Sequence, residues 1–349
     1  MGEPMDRWAP RRWARAAKGA LSDLRRTAAA TERQVEIARR AKRSTEQLSK
    51  SMAATARTTQ QQLDVVASTL RAQHQLLEQL RADAAKIEAE VRTIRVAGTA
   101  STMRAVHDFA ATRVLTYRET LESLARDELS FARFGDGELR LMVDPLYRLG
   151  FQGNSVALRE ALRSTLQRQD DSLLVGWPRA FWTPHNTTVW SIVWDDVQPL
   201  VPPTGRFGNS HVSRPDCFEE LGEEAVELWR QVWQGRHVTI VTGEGSRFDL
   251  VPQLFDNLAG HDVVHSTPRN AFADLERLER EILDRRSSDL HLVSLGPAGT
   301  VLAARLAAAG VRAIDIGHIS NSYLYVFEGE TYPESLPGVR RARTSAGRA

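Results

Sequence analysis

Between Gly19 and Gly98 the chain contains neither proline nor glycine, and Ala, Arg, Gln, Glu and Leu dominate. Nothing in that stretch removes a backbone donor or loosens the main chain, so a long uninterrupted helix is expected. Read in sevens, one position holds Leu63, Leu70, Leu77, Ala84 and Val91, and the position three further on holds Val66, Gln73, Leu80, Ile87 and Ile94. This alternation of three and four is a coiled-coil seam, with Gln73 as a polar residue that can fix register. The register runs back through Val35, Ala28 and Leu21 and weakens at Lys42, Thr45, Ser49 and Thr59. From Leu21 to Ile94 such a helix is about 110 Å long. Alone it would expose its apolar stripe, so residues 19–98 are expected to form a homo-oligomeric coiled coil. A spacer rod and a recognition surface for another protein both fit.

Residues 1–18 and the turns that follow are basic, with Arg7, Arg11, Arg12, Arg15, Lys18, Arg25 and Arg26 around Trp8 and Trp13. Such a segment suits either a frayed, solvated end or peripheral contact with an anionic membrane. Across the chain, 46 Lys+Arg stand against 44 Asp+Glu, a balance unlike that of a dedicated nucleic-acid binder. The single Cys217 rules out an internal disulfide framework and any multi-cysteine zinc site. No apolar run is long enough to span a bilayer, and Met1–Arg15 lacks a secretory apolar stretch. The expected location is the cytoplasm, with the inner face of the cell membrane as the site of any membrane contact.

From about Val106 the texture changes. Apolar runs at Leu129–Phe134, Ser172–Val175, His237–Val241, Asp262–His265, Leu290–Leu295 and Val311–Ile316 read as strands. Helical patterns lie between them at Val156–Gln167, Pro215–Gln234, Ala271–Arg285 and Thr300–Ala309. This alternation predicts an α/β domain over 106–330, doubly wound on a mainly parallel sheet, and a loosely ordered tail over 331–349.

Ligands of open α/β sheets bind beyond the carboxyl ends of the strands. That rule selects Arg133, Asp136 and Glu138; Trp177 and Arg179; Glu244, Ser246 and Arg247; Pro268, Arg269 and Asn270; Gly296 to Thr300; and His318. Asp136 and Glu138 sit among glycines two residues apart, and paired carboxylates suit Mg²⁺ or Mn²⁺ bound together with phosphates; an acidic helix cap is the alternative. The Gly296–Thr300 turn opens a helix and can receive an anion, or serve tight packing. Arg247 in its glycine loop can clamp a phosphate, or form a surface ion pair. His318 can meet phosphate or metal, or bond the backbone. Trp177, Trp182, Trp190 and Trp194 suit either sugar stacking or the core. No Gly-x-Gly-x-x-Gly follows a strand, which disfavours a dehydrogenase.

Taken in order, SFARFGDGELRLM, GFQGN, VSRPD, SRF, LFDN, NAF, LGPAGTVLAARL and AIDIGHIS resemble the GT-D-type glycosyltransferases, bacterial enzymes with an Asp-x-Glu motif. The similarity spans about Ser130 to Tyr325. It implies a Rossmann-like GT-D domain that binds a UDP-sugar and a divalent cation, Mn²⁺ or Mg²⁺, and transfers sugar to a glycan or glycoconjugate. By the resemblance, Asp136 and Glu138 match the pair holding the metal and the donor diphosphate. Arg133, Arg214, Ser246, Arg247, Asn270, Gly296 and Pro297 match its other motif positions. Three places depart from the pattern: Thr242 where a Glu precedes the strand-end glycine, Asp249–Gln253 where Gly-x-Gly-Asn-Asp stands, and Ser320–Leu324 where acids follow Gly-His. If a missing acid handles the acceptor, Glu244, Asp249 and Glu328 are the substitutes. The departures also leave room for an adaptor that carries an inactive glycosyltransferase-like domain.

Overall fold

The computed structural model describes residues 9–168, 170–285 and 288–336. Arg7, Trp8 and the arginines of the tail beyond 336 lie outside the described residues. Two compact units divide the chain at Glu90 and Val91.

One helix of 105 residues, Ala9–Arg113, passes through both Gly19 and Gly98 without a break. Each glycine costs a helix roughly 1 kcal/mol against alanine. Two in so long a run do not terminate it. In the first unit Leu63, Leu70, Leu77 and Leu80 each keep more than half of their surface exposed. The texture change near Val106 is therefore not a chain break. The last turns of the helix belong to the second unit, where Met103 and Val106 are fully buried.

The second unit is built on seven parallel strands: β1 (Ser130–Arg133), β2 (Leu173–Trp177), β3 (Gly208–Asn209), β4 (His237–Gly243), β5 (Gly260–Ser266), β6 (Leu290–Ser294) and β7 (Ala313–Asp315). Their order is β3-β2-β1-β7-β6-β4-β5. Central strands are apolar on both faces, as a parallel sheet covered by helices requires. Phe131, Leu174, Ile240, Leu292 and Ile314 belong to the core on one face, and Ala132, Val175, Val241, Val293 and Ala313 to the core on the other. Edge strand β5 instead exposes His261, Asp262 and Val263. β3 pairs with β2 through two residues only, too few for any alternation to reveal.

Local chemistry sets the helix ends. The expected helix 215–234 is two, Pro215–Leu221 and Glu223–Trp233, because Gly222 at φ +58° turns the chain between them. The helix expected from Thr300 begins at Pro297, where proline suits a first turn that needs no N–H. Trp177, Trp190 and Trp194 pack with Phe109 and Phe207 in the core, whereas Trp182 is exposed and stacks on His107. No helix among the described residues is long and apolar enough to cross a membrane.

The chain leaves β1 toward one face, into helix Asp136–Val143, and leaves the adjacent β7 toward the other, into helix Ile319–Glu328. Adjacent strands that diverge in this way open a crevice at their carboxyl ends.

Phe131 is fully buried, and a Cβ on Gly176 or Gly208 would meet its ring at 2.8 or 2.9 Å. The two glycines thus make room for one aromatic ring at the centre of β1. Phe131→Ala is expected to cost about 3–5 kcal/mol in urea denaturation. A loss below about 1 kcal/mol would show that the ring is dispensable.

Candidate active site

The crevice is a cleft of about 890 Å³ within the second unit. Arg133, Asp136, Glu138, Arg214, Glu244, Ser246, Arg247, Gly296 and His318 all line it.

The glycine-flanked acids do not lie in an open bend. Gly135 caps the helix, Asp136 is its first residue and Glu138 its third. Glu138 accepts the N–H of Gly135 at 2.9 Å, which is the capping alternative realised. Asp136 accepts the N–H of Gly137 at 2.9 Å, and its other oxygen lies 3.0 Å from Nε2 of His185. Residues two apart on a helix do not face each other, yet both acids line the same cleft. Burial, and after it the Asp315 carboxylate, raise the Glu138 pKa to about 7 against opposition from backbone N–H groups and Arg133.

Behind these acids, Arg133 donates to the carbonyl of Ser210 at 2.8 Å and to Oγ of Ser213 at 2.6 Å, and pairs with Asp315 at 3.5 Å. Asp315 also accepts the N–H of Gly317 at 3.0 Å, and Thr300 donates to the Arg133 carbonyl at 2.7 Å. A Cβ on Gly317, which has φ +48°, would fall 2.0 Å from the Arg133 guanidinium. Glycine is required there both for the backbone and for the arginine.

Two further arginines converge on the floor. Arg214 pairs with Glu334. Arg247 donates to the carbonyls of Pro333 at 2.6 Å and Leu336 at 3.0 Å, and lies 3.3 Å from the His318 ring. Burial lowers the pKa of both, and Arg133 adds to the effect at Arg214. Burial, followed by Arg247, Arg214 and Arg133, pushes His318 well below its ordinary value, so its ring is neutral. Guanidiniums thus outweigh acids on this side, which suits an anion.

Asn270 and Pro297 do not line the cleft. Asn270 accepts the N–H of Gly153 at 2.7 Å and donates its own N–H to the Phe151 carbonyl at 2.8 Å. It thereby holds the turn that carries Phe151 to the cleft. Pro297 is buried at its helix start. Of the three substitute acids, Glu244 lines the cleft, while Asp249 and Glu328 do not. Ser320 and Asn321 stand at the cleft where the resemblance places acids, and Tyr323 is buried in the core.

Sequence reading passed over His185, His211, Asp216, Asp315 and Glu334. Two of these carried a signal, Asp216 as the last residue of the VSRPD segment and Asp315 as an acid at the end of the apolar strand Ala313–Asp315. Asp136 and Glu138 are the acids that could hold a cation. Among the described residues no three or more His, Cys, Asp or Glu side chains are grouped to hold one by themselves.

Residues 131–331 match the model of the glycosyltransferase GT-D fold. The chain is 29% identical over 223 residues to glycosyltransferase GlyD of Streptococcus pneumoniae, covering 60% of this chain and 27% of that protein. It is 27% identical over 240 residues to the probable glycosyl transferase Gly of Streptococcus gordonii, covering 64% and 34%. The chain therefore spans about a third or less of the length of these curated relatives. A solved domain of unknown function 1792, described as having a distinct glycosyltransferase fold, superposes with TM-score 0.60 at 26% identity, over 70% of this chain and 91% of that one. A glycosyltransferase of the same domain type from Streptococcus sanguinis superposes with TM-score 0.58 at 26% identity, over 66% and 90%.

The raised pKa of Glu138 has a consequence for stability. A carboxyl whose pKa is higher folded than unfolded loses native stability as pH climbs from the unfolded value, 4.5, through about 7. Glu138→Gln removes that buried charge. Its melting temperature is expected to match the wild type near pH 5 and exceed it near pH 8. A constant difference across that range would show that the acid is not destabilised by its surroundings.

Proposed function

The chain belongs to the GT-D-fold glycosyltransferase family, and on that premise we propose that it transfers a sugar from a UDP-linked donor to a glycan or glycoconjugate acceptor, with Mn²⁺ or Mg²⁺ bound. The observation that carries this reading is the pairing, in one cleft, of first-turn acids Asp136 and Glu138 with Arg133, Arg214, Arg247 and His318.

The donor set fits a hard divalent cation that keeps open positions for water and phosphate oxygens. Asp136 is partly exposed, and Glu138 is an acid whose pKa is raised first by burial and then by the Asp315 carboxylate. A cation held by these two supplies positive charge against a diphosphate. Departure of the nucleotide builds negative charge on that diphosphate. Arg247 and Arg214 would receive it, with Gly296 beside them on the cleft wall. Arg133, already committed to Ser210, Ser213 and Asp315, contributes its field. Glu244, exposed on the loop after β4, is placed to orient an acceptor.

The coiled-coil stripe supports a homo-oligomer, and Trp13, Arg15 and Lys18, exposed on the helix, fit peripheral contact with the inner membrane face. Ser320 and Asn321 in place of acids favour a second reading, an adaptor that binds nucleotide sugar without turning it over.

Thermal unfolding with UDP, GDP and their sugars, with and without Mn²⁺, tests the donor. A Mn²⁺-dependent rise with a UDP-sugar is expected, since a ligand of the native state alone stabilises it. No shift with any nucleotide removes the reading, and a shift without turnover selects the adaptor. Asp136→Asn is expected to abolish divalent-dependent transfer, and Arg247→Ala to weaken donor binding about 10- to 100-fold by titration calorimetry. Wild-type behaviour of both variants removes the assignment of the diphosphate site. The double variant Leu70→Glu, Leu77→Glu is expected to sediment as a monomer, and an unchanged oligomer would place the contact elsewhere.

A further inference from the structure

His211 and Asp216 form a pair on the cleft wall, outside the groups assigned to the diphosphate and the cation. His211 lies in the short turn after β3, and Asp216 in the first turn of helix Pro215–Leu221. Nδ1 of His211 is 3.0 Å from Oδ2 of Asp216. The same oxygen accepts from the Tyr117 hydroxyl at 2.5 Å, and Arg179 donates to Tyr117 at 2.8 Å and to Glu220 at 2.9 Å. The Phe181 ring lies 5.5 Å from the imidazole, and the His211 N–H is held by Asn209 at 3.0 Å.

Burial alone would raise the Asp216 pKa, but hydrogen bonds from His211 and Tyr117 more than offset it, so the carboxyl is held ionised. Burial and Asp216 together raise Tyr117, which remains a donor. An ionised carboxylate on Nδ1 keeps the proton on that nitrogen and leaves Nε2 as a base. The pair is also adjacent to the donor side. The N–H of Arg214 is bonded to the His211 carbonyl at 2.9 Å, and Arg214 feels both Asp216 and Asp136.

We propose that His211 is the general base of the transfer, held by Asp216 as its positioning residue; the assignment rests on the glycosyltransferase reading. Nε2 takes the proton of the acceptor hydroxyl as that oxygen bonds to the anomeric carbon. The bond from that carbon to the diphosphate oxygen breaks, its electron pair leaves with the nucleotide, and the proton passes from His211 to water. A protein base of this kind goes with inversion at the anomeric carbon.

The test uses the full chain with Mn²⁺ and UDP-glucose, UDP-galactose or UDP-N-acetylglucosamine, with water as acceptor. UDP release and the donor-induced thermal shift are both read. His211→Gln is expected to lower release at least about 100-fold with the shift intact. Asp216→Asn is expected to lower kcat about tenfold with KM for the donor and the donor-induced thermal shift unchanged, because the imidazole loses the carboxylate that orients it. Release at the wild-type rate in His211→Gln overturns the proposal, as does loss of release together with loss of the donor shift, which makes His211 a structural residue. A wild type that neither binds nor cleaves any of the three donors removes the UDP-sugar reading of the site, and this assignment with it.

Discussion

The guanidinium of Arg133 and the carboxylate of Asp315 meet at the carboxyl ends of β1 and β7, the two strands from which the chain departs to opposite faces of the sheet. Everything at the floor of the cleft is referred to this contact. Thr300 ties the start of its helix to the Arg133 carbonyl, Ser210 and Ser213 bring the segment after β3 onto the guanidinium, and Gly317 clears the space it fills. A buried ion pair is weak evidence for stability, because desolvation opposes its attraction. Removing one partner is another matter, since it strands a charge in the interior. The contact therefore acts mainly as a register device that fixes how strand ends from distant parts of the chain converge.

Around it the cleft is electrostatically unbalanced, and by design of position rather than by total charge. The chain as a whole is nearly neutral, at +2. Locally, Arg214 and Arg247 carry pKa values lowered by burial, His318 is kept uncharged, and Glu138 holds its proton up to about pH 7. Each is a group whose charged form is disfavoured chiefly by burial. Such a cluster is costly to fold and is suited to ligands that bring the missing charges, namely a cation and a diphosphate. Glu334 on Arg214, and the carbonyls of Pro333 and Leu336 on Arg247, supply part of that compensation from the chain itself.

Much of the architecture was legible beforehand because it rests on local periodicity. The apolar runs at Leu290–Ser294 and His237–Gly243 are buried on both sides and read as parallel strands, and the seam from Leu63 to Ile94 reads as helix. Illegible elements were those too short for a pattern, such as Gly208–Asn209, or broken by one backbone torsion, as at Gly222. In the site, the strand-end rule brought out Arg133, Asp136, Glu138, Arg247, Gly296 and His318, all of which reach the cleft. It also brought out Asn270, whose amide instead holds a neighbouring turn. His211 and Asp216 were not singled out, since a histidine five residues from an acid carries no periodic mark.

The sequence by itself determined the long helix, the α/β alternation and the family, through periodicity and ordered motifs. These are properties of neighbours along the chain, set by side-chain spacing and glycine or proline placement. Only the tertiary structure decided that Glu138 caps its own helix while facing the cleft, that Asp315 anchors Arg133, and that a histidine–aspartate pair stands beside the arginine floor. Those relations join residues up to 182 positions apart. Their energies depend on distance and burial, which no local pattern encodes.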